Sequence, residues 1–299
     1  MKRLRLARRS LILRLVGLSL LLLLIVQAAG FAVVRASIDR NARAQIARAL
    51  DLDENIWRRL LDQNAEQLRQ GSALLAADYG FRSAVNSGDE ETIQSVLENH
   101  GSRIGAAVTA LLATDLELRA VSLSDSMEQF PATLRQVVPR LAQQPQGSQI
   151  AVMDGVPYQF VMVPMRAPVV IGWVLMGFRI DQSRADEMRQ LLSVHVALMI
   201  KSPEGAMTLS VSTLPADARA LLLSTGGAAG ELQTVEGTLL ARSSKLDSVG
   251  GEVHSLLLRS VDEVVAPYRQ LQVLLAIITV AGVLLFAAGT GLVAQRLTT

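Results

Sequence analysis

Apolar positions along this chain follow two patterns, unbroken runs near both ends and periodic ones between them. Residues 15–34 (LVGLSLLLLLIVQAAGFAVV) and 273–294 (VLLAIITVAGVLLFAAGTGLVA) contain no charged side chain. At about 1.5 Å rise per residue, runs of this length cross a hydrocarbon core of roughly 30 Å. They predict two membrane-spanning helices with the stretch between them on one side of the bilayer. From 36 to about 77 the pattern turns helical. Pro is absent, and Ile46, Leu50, Trp57, Leu61, Leu68 and Leu75 recur at steps of four and seven along one stripe. Arg43, Asp51, Arg58, Glu66 and Arg69 mark the opposite face. Such a helix projects roughly 60 Å from the membrane. Its stripe predicts a dimer seam near the membrane and packing on the chain's own domain beyond Leu61.

Beyond this helix the period shortens. A helix is predicted over 89–99, ending at Gly101, and strands over 107–113 and 116–122 flank a Thr114-Asp115 turn. Residues 131–144 read as a helix opened by Pro131, a residue suited to a first helical turn. Three strands follow at 149–153, 157–165 and 169–180, the first two joined by Asp154-Gly155, a tight-turn pair. A shorter series comes next: helix 182–193, strands 194–200 and 207–212, helix 216–223, strands 232–242 and 253–259. Ser260 and Glu263 have capping-box spacing, so a helix is predicted to run from there into the second span, lightly kinked at Pro267. The fold class is α+β, antiparallel sheets flanked by helices.

Charge sets the orientation. Lys2, Arg3, Arg5, Arg8, Arg9 and Arg14 precede the first span with no acid among them, while the rest of the chain carries more acid than base. Positive residues flanking a first span hold that end in the cytoplasm. Both termini are therefore expected in the cytoplasm, with the central domain facing outward. The basic pI comes from this anchor, so no nucleic-acid partner is expected. The apolar run exceeds the 7–15 residues or so of a cleavable signal core, which predicts an uncleaved anchor. Cysteine is absent, which allows either redox compartment. In the spans, Ala28-x-x-x-Ala32 and Ala287-x-x-x-Gly291 have the small-residue spacing that lets helices approach closely.

Chemistry beyond binding finds little support. His100, His195 and His254 are far apart, and no HExxH or Cys/His cluster suggests a metal. No GxSxG elbow is present, and Gly226-Gly-Ala-Ala-Gly230 lacks the Lys-Ser/Thr of a phosphate loop. No catalytic residue, metal or cofactor is predicted, and the chain is not expected to be an enzyme. For binding, Tyr158, Phe160 and Met162 share one strand face, and Trp173, Leu175, Gly177, Arg179 and Asp181 share another. Phe160 and Met162 read as core. Tyr158, Trp173 and Arg179, with Arg135 on the intervening helix as an anion partner, are the candidate ligand-binding residues.

The order of these elements, the segment 168–181 (PVVIGWVLMGFRID) with its following helix and strand, and 74–81 (LLAADYGF) with 111–118 (LLATDLEL) resemble the third type of double Cache (dCache) sensory region. That region belongs to bacterial sensor histidine kinases and GGDEF/EAL cyclic-di-GMP proteins. The resemblance covers roughly 36–271. Residues 295–299 (QRLTT) are similar to the first residues of a HAMP linker. On this resemblance the chain divides into a cytoplasmic N-terminus (1–14), a first span (15–34), a long helix with a membrane-distal module (35–181), a membrane-proximal module (182–262), an exit helix with the second span (263–294) and a HAMP-like start (295–299). It implies a homodimer that binds a small ligand or periplasmic protein and signals to a cytoplasmic output such as cyclic-di-GMP turnover or a histidine kinase. The chain then reads as an input half, ending where its linker to an output begins. The other class of function is an interaction protein that regulates a separate membrane partner through its periplasmic domain and spans. The Tyr, Arg, Trp, Tyr and Asp spacing of the amino-acid-binding dCache class is absent, so that ligand does not carry over.

Overall fold

The computed structural model describes residues 2–124, 127–144, 146–202, 205–235 and 237–296, with side chains from 17 to 290. The last three residues of the HAMP-like stretch lie outside the described residues. Two compact units are present, Ala47–Arg259 and a second made of Met1–Ile46 with Ser260–Thr299.

In the second unit, the first part of α1 (Lys2–Ala77) and α8 (Tyr268–Arg296) carry the two apolar runs. Both contain windows long and apolar enough to cross a membrane, with mean hydropathy 2.4 and 2.6. Leu24, Ala28 and Phe31 face a groove shared with Ala276, Val280 and Val283, and Gln27 and Thr279 are the polar side chains in it. Ser260 caps α7 (Val261–Val265), its hydroxyl accepting from the Glu263 N–H at 3.3 Å. The helix does not run on unbroken from there. It is interrupted at Ala266-Pro267, where proline has no N–H to continue the ladder, and α8 begins at Tyr268.

The larger unit holds two sheets. Strands β1 (Val108–Leu112), β2 (Leu118–Leu123), β3 (Gln149–Met153), β4 (Val156–Arg166) and β5 (Val170–Arg179) form the first, in the order β3-β4-β5-β1-β2. The β3–β4 turn is tight because Asp154 and Gly155 both adopt positive φ, 50° and 73°. One face of this sheet packs on α1, α2 (Tyr79–Ser87) and α3 (Glu90–Ile104), burying Leu75, Phe81, Ile93, Leu97, Val163 and Met176. The other face packs on α4 (Phe130–Gln143), through Val137, Leu141, Phe160, Met162 and Leu175. Helix α2 has no counterpart in the sequence reading. It starts because the Asp78 carboxylate accepts from the Phe81 N–H at 2.7 Å, and it ends at Gly88 in the left-handed region.

The second sheet has the order β7-β6-β11-β9-β8. It comprises β6 (His195–Lys201), β7 (Met207–Ser212), β8 (Gly230–Thr234), β9 (Gly237–Leu246) and β11 (Glu252–Ser260). The strand expected over 232–242 is therefore a hairpin, split beside the exposed Val235. Helix α6 (Ala216–Ser224) covers one face through Ala218 and Leu222. Helix α5 (Gln182–Leu192) joins the two sheets in sequence and packs on β6 and β7. Between β9 and β11, the two-residue β10 (Ser248–Val249) leaves this sheet and pairs in parallel with β3 of the other, opposite Ile150 and Ala151. Arg140 of α4 reaches Asp247 beside it at 3.0 Å, and Gln149 Nε2 donates to the Asp247 carbonyl.

Helix α1 serves both sheets. Leu50 and Trp57 are buried within the single chain, so packing on its own domain begins ahead of Leu61 rather than beyond it. Near the second sheet, Glu54 pairs with Arg242 of β9 at 2.8 Å, and Arg58 reaches the Lys245 carbonyl. Asp53 sits 3.1 Å from Arg259 near the end of β11, and Arg259 also donates to the Leu192 carbonyl at 2.9 Å. The Asp53–Arg259 approach is charge attraction without a well-aligned hydrogen bond, since Asp53 Oδ2 and Arg259 Nε have no hydrogen-bond partner.

Two consequences are measurable. An added Cβ at Gly177 would lie 2.5 Å from Phe160 Cε1, its cross-strand neighbour. Gly177→Ala is expected to cost about 1–3 kcal/mol by overpacking, read as a lower thermal midpoint of the solubilised chain. Burial pushes the Asp53 carboxyl above its ordinary value of 3.8, against the opposing pull of Arg259. The folded chain then holds this proton more tightly than the unfolded one. The contribution of Asp53 is full below the ordinary value and is lost as pH rises through the raised one. The stability difference between wild type and Asp53→Asn should fall with pH across that window; a flat difference in melts at several pH values would contradict it.

Candidate functional site

The sequence-predicted residues sit on the face of the first sheet that packs against α4. Tyr158 and Arg179 are cross-strand partners at one end of it. The Arg179 guanidinium lies 5.9 Å from the Tyr158 ring centroid, and its Nη2 donates to the phenol oxygen at 3.4 Å. Trp173 is half-buried and pairs with Pro164, six positions further along the strand. At about 3.3 Å per residue, that places it roughly 20 Å from the Tyr158–Arg179 pair. Between them the face is filled by Phe160, Met162 and Leu175, all buried core. Arg135 is exposed, on the side of α4 turned away from its buried positions Thr133, Val137, Val138 and Leu141. The structure therefore joins Tyr158 to Arg179, and it does not bring Trp173 or Arg135 to them.

A cleft lies on the opposite face of the same sheet, where α1, the ends of β4 and β5, and α5 converge. It encloses about 100 Å³ and is lined by Trp57, Leu61 and Asn64 of α1, Gln159 and Arg179 of the sheet, and Arg184, Glu187 and Met188 of α5. Its floor is a buried amide network. Gln159 Nε2 donates to the Leu61 carbonyl and to Ser148 Oγ, both at 3.0 Å, and Asn64 Nδ2 donates to Gln159 Oε1 at 2.9 Å. Two polar atoms of the lining are buried without a partner, the Trp57 indole Nε1 and Asn64 Oδ1. Each such orphan costs about 1–3 kcal/mol while unpaired. The wall is charged, with Arg184 meeting Glu187 at 3.2 Å and Arg179 beside them. A donor, an acceptor and a paired acid and base around one small space suit a compact polar molecule.

Trp57, Asn64 and Gln159 were missed as site residues, although a signal for them exists. Asn64 lies seven residues after Trp57, on the buried stripe of α1, and Gln159 interrupts a run of apolar residues in β4. A polar side chain at a position the pattern assigns to the core needs a partner, and here those partners meet. Among the described residues, no group of three or more His, Cys, Asp or Glu is placed to hold a metal ion.

Gln159→Leu should lower stability by about 1–3 kcal/mol, because it strands the Asn64 amide and the Ser148 hydroxyl. Adding Asn64→Leu should recover part of that loss. A double variant as unstable as the sum of the singles would show the network to be unconnected.

No curated protein matches the chain. Among solved structures, the extracellular domain of the putative histidine kinase vpHK1S-Z8 is 12% identical, covering 78% of this chain and 96% of that one with a TM-score of 0.40. The ligand-binding domain of the Campylobacter jejuni chemoreceptor Tlp3, solved with 4-methylisoleucine, is 9% identical, covering 76% and 94% with a TM-score of 0.41. The sensor domain of the V. cholerae histidine kinase DctB is 14% identical, covering 72% and 96% with a TM-score of 0.39. The dCache_3 family, described as the double sensory domain of two-component sensor kinases, matches residues 43–255, and the chain belongs to that family.

Proposed function

We propose that this chain is the sensory input module of a bacterial transmembrane receptor. Its two apolar helices anchor it in the inner membrane with both termini cytoplasmic, and the Ala47–Arg259 unit binds a small ligand or a periplasmic protein outside. It acts as a homodimer, and its output is a cytoplasmic activity such as a histidine kinase or cyclic-di-GMP turnover. The chain itself is a binding protein without catalytic function. The membrane-distal module comprises 35–181 and the proximal one 182–262, with exit through 263–294.

The observation that carries this reading is the sharing of α1 by both sheets in a family of sensory domains, with a small polar cleft at the point of sharing. A molecule that satisfies Trp57 and Asn64 makes contacts available in only one arrangement of α1, β5 and α5. It thereby shifts the population toward that arrangement. β11 ends at Ser260 and α7 begins at Val261, so no loop intervenes in the chain between the last strand and the helices that lead to the second span.

Fusing the chain at Thr299 to a HAMP and kinase domain tests the proposal. Inserting two residues after Gln270, inside α8, turns the downstream helix by about 200° at 3.6 residues per turn. Reporter output should then move to the opposite extreme, with folding of the sensor unchanged by protease resistance. Output indifferent to the insertion would show that α8 carries no signal.

A further inference from the structure

A second cleft opens where the distal end of α1 and the start of α2 approach the outer edge of β4. It has a volume of about 390 Å³, an apolar floor of Ala73, Ala76, Val163 and Pro164, and a rim that carries Arg69, Arg82 and Arg166. The balance of charge at this rim is uneven. Arg69 pairs with Glu66, whose carboxyl is held below the usual carboxylate range chiefly by that bond and by Gln70. Arg82 bonds only backbone carbonyls, those of Asp78 at 3.4 Å and Arg166 at 3.0 Å. The nearby Asp78 carboxylate is engaged in capping α2. Among the described residues, neither Arg82 nor Arg166 has a carboxylate partner. Arg69 Nε is in addition buried without an acceptor. Two guanidinium charges are thus held at the rim of an apolar hollow with no anion supplied by the chain.

From this arrangement we infer that the cleft is a binding site for a small organic anion, a carboxylate on an apolar body. The guanidiniums offer paired donors matched to a carboxylate, and the alanine, valine and proline floor takes the hydrocarbon part. The geometry argues against a peptide strand. β3 pairs with β4 only as far as Phe160, so the following residues of β4 have no strand on that edge. Pro164, in that uncovered stretch, lacks the N–H an added strand would use. Glu66 selects against dianions by its own charge. A carboxylate seated here ties α1, α2 and β4 together. This site lies outside the amide-lined cleft and stands whether or not the chain signals through α8.

The test is calorimetric titration of the full chain in neutral nanodiscs with sodium benzoate and sodium butyrate, alongside benzamide, butyramide and sodium chloride at equal ionic strength. The carboxylates should bind saturably and the amides and chloride should not. Arg166→Gln and Arg82→Gln should each weaken benzoate about tenfold, the loss expected for one charge-assisted contact. Arg103→Gln, at an exposed position of α3, should leave it unchanged. Benzamide binding as well as benzoate would overturn the proposal, as would saturation by chloride alone or unaltered affinity in both arginine variants. A change of particle mass in Arg166→Gln, with carboxylates inert, would assign the cleft to a second copy of the chain and overturn it equally.

Discussion

One helix face has to satisfy two sheets. The buried stripe of α1 from Leu50 to Leu75 covers sequence that packs on both, and neither sheet has a private helix in that role. The side chains that fasten it differ in kind along its length. Toward the second sheet the fastenings are ionic, Asp53 to Arg259 and Glu54 to Arg242. Toward the first they are neutral, the amide pair of Asn64 and Gln159 and the Ser72 hydroxyl against the sulfur of Met176. Ionic contacts tolerate small changes of distance better than directional amide bonds do.

The amide-lined cleft sits at the change from one kind of fastening to the other. Its orphan donor and acceptor are a local defect in an otherwise satisfied core, and such defects collect at sites that work rather than merely pack. The face toward α4 shows the contrast. It is closed by Phe160 over Gly177, and Tyr158 is occupied by Arg179. An aromatic-rich strand face looks the same in sequence whether it lines a pocket or fills one.

That ambiguity sets what was legible in the residues. The two long apolar helical runs followed from their unbroken hydrophobicity, and the α1 stripe and strands β3 to β5 from periodicity and from Asp154-Gly155, whose paired positive φ values only a few residue pairs accept. The Ser260 cap was readable because its partner is three residues away. Features that depend on distant residues were not. The direction in which Arg135 points depends on which side of α4 meets the sheet, and Trp173 and Tyr158 share a face yet sit at opposite ends of it. The end of α1 near Ala77 was legible, but α2 was hidden because it is only nine residues long and is set off by Asp78 and Gly88, residues equally at home in a loop. The interruption at Pro267 turned on whether the missing N–H bends a helix or divides it, and here it divides it.

The excursion of β10 has a bearing on inheritance. A recombination event near α5 would divide the chain tidily by sequence and untidily in space. The upstream piece would lose the two residues that pair with Ile150 and Ala151, together with the Asp247 contacts to Arg140 and Gln149. Its β3 would become a bare edge, the kind of surface on which sheets aggregate. A division at α5 therefore strips the first sheet of its two-residue sixth strand, and the two sheets keep their pairing only when moved together.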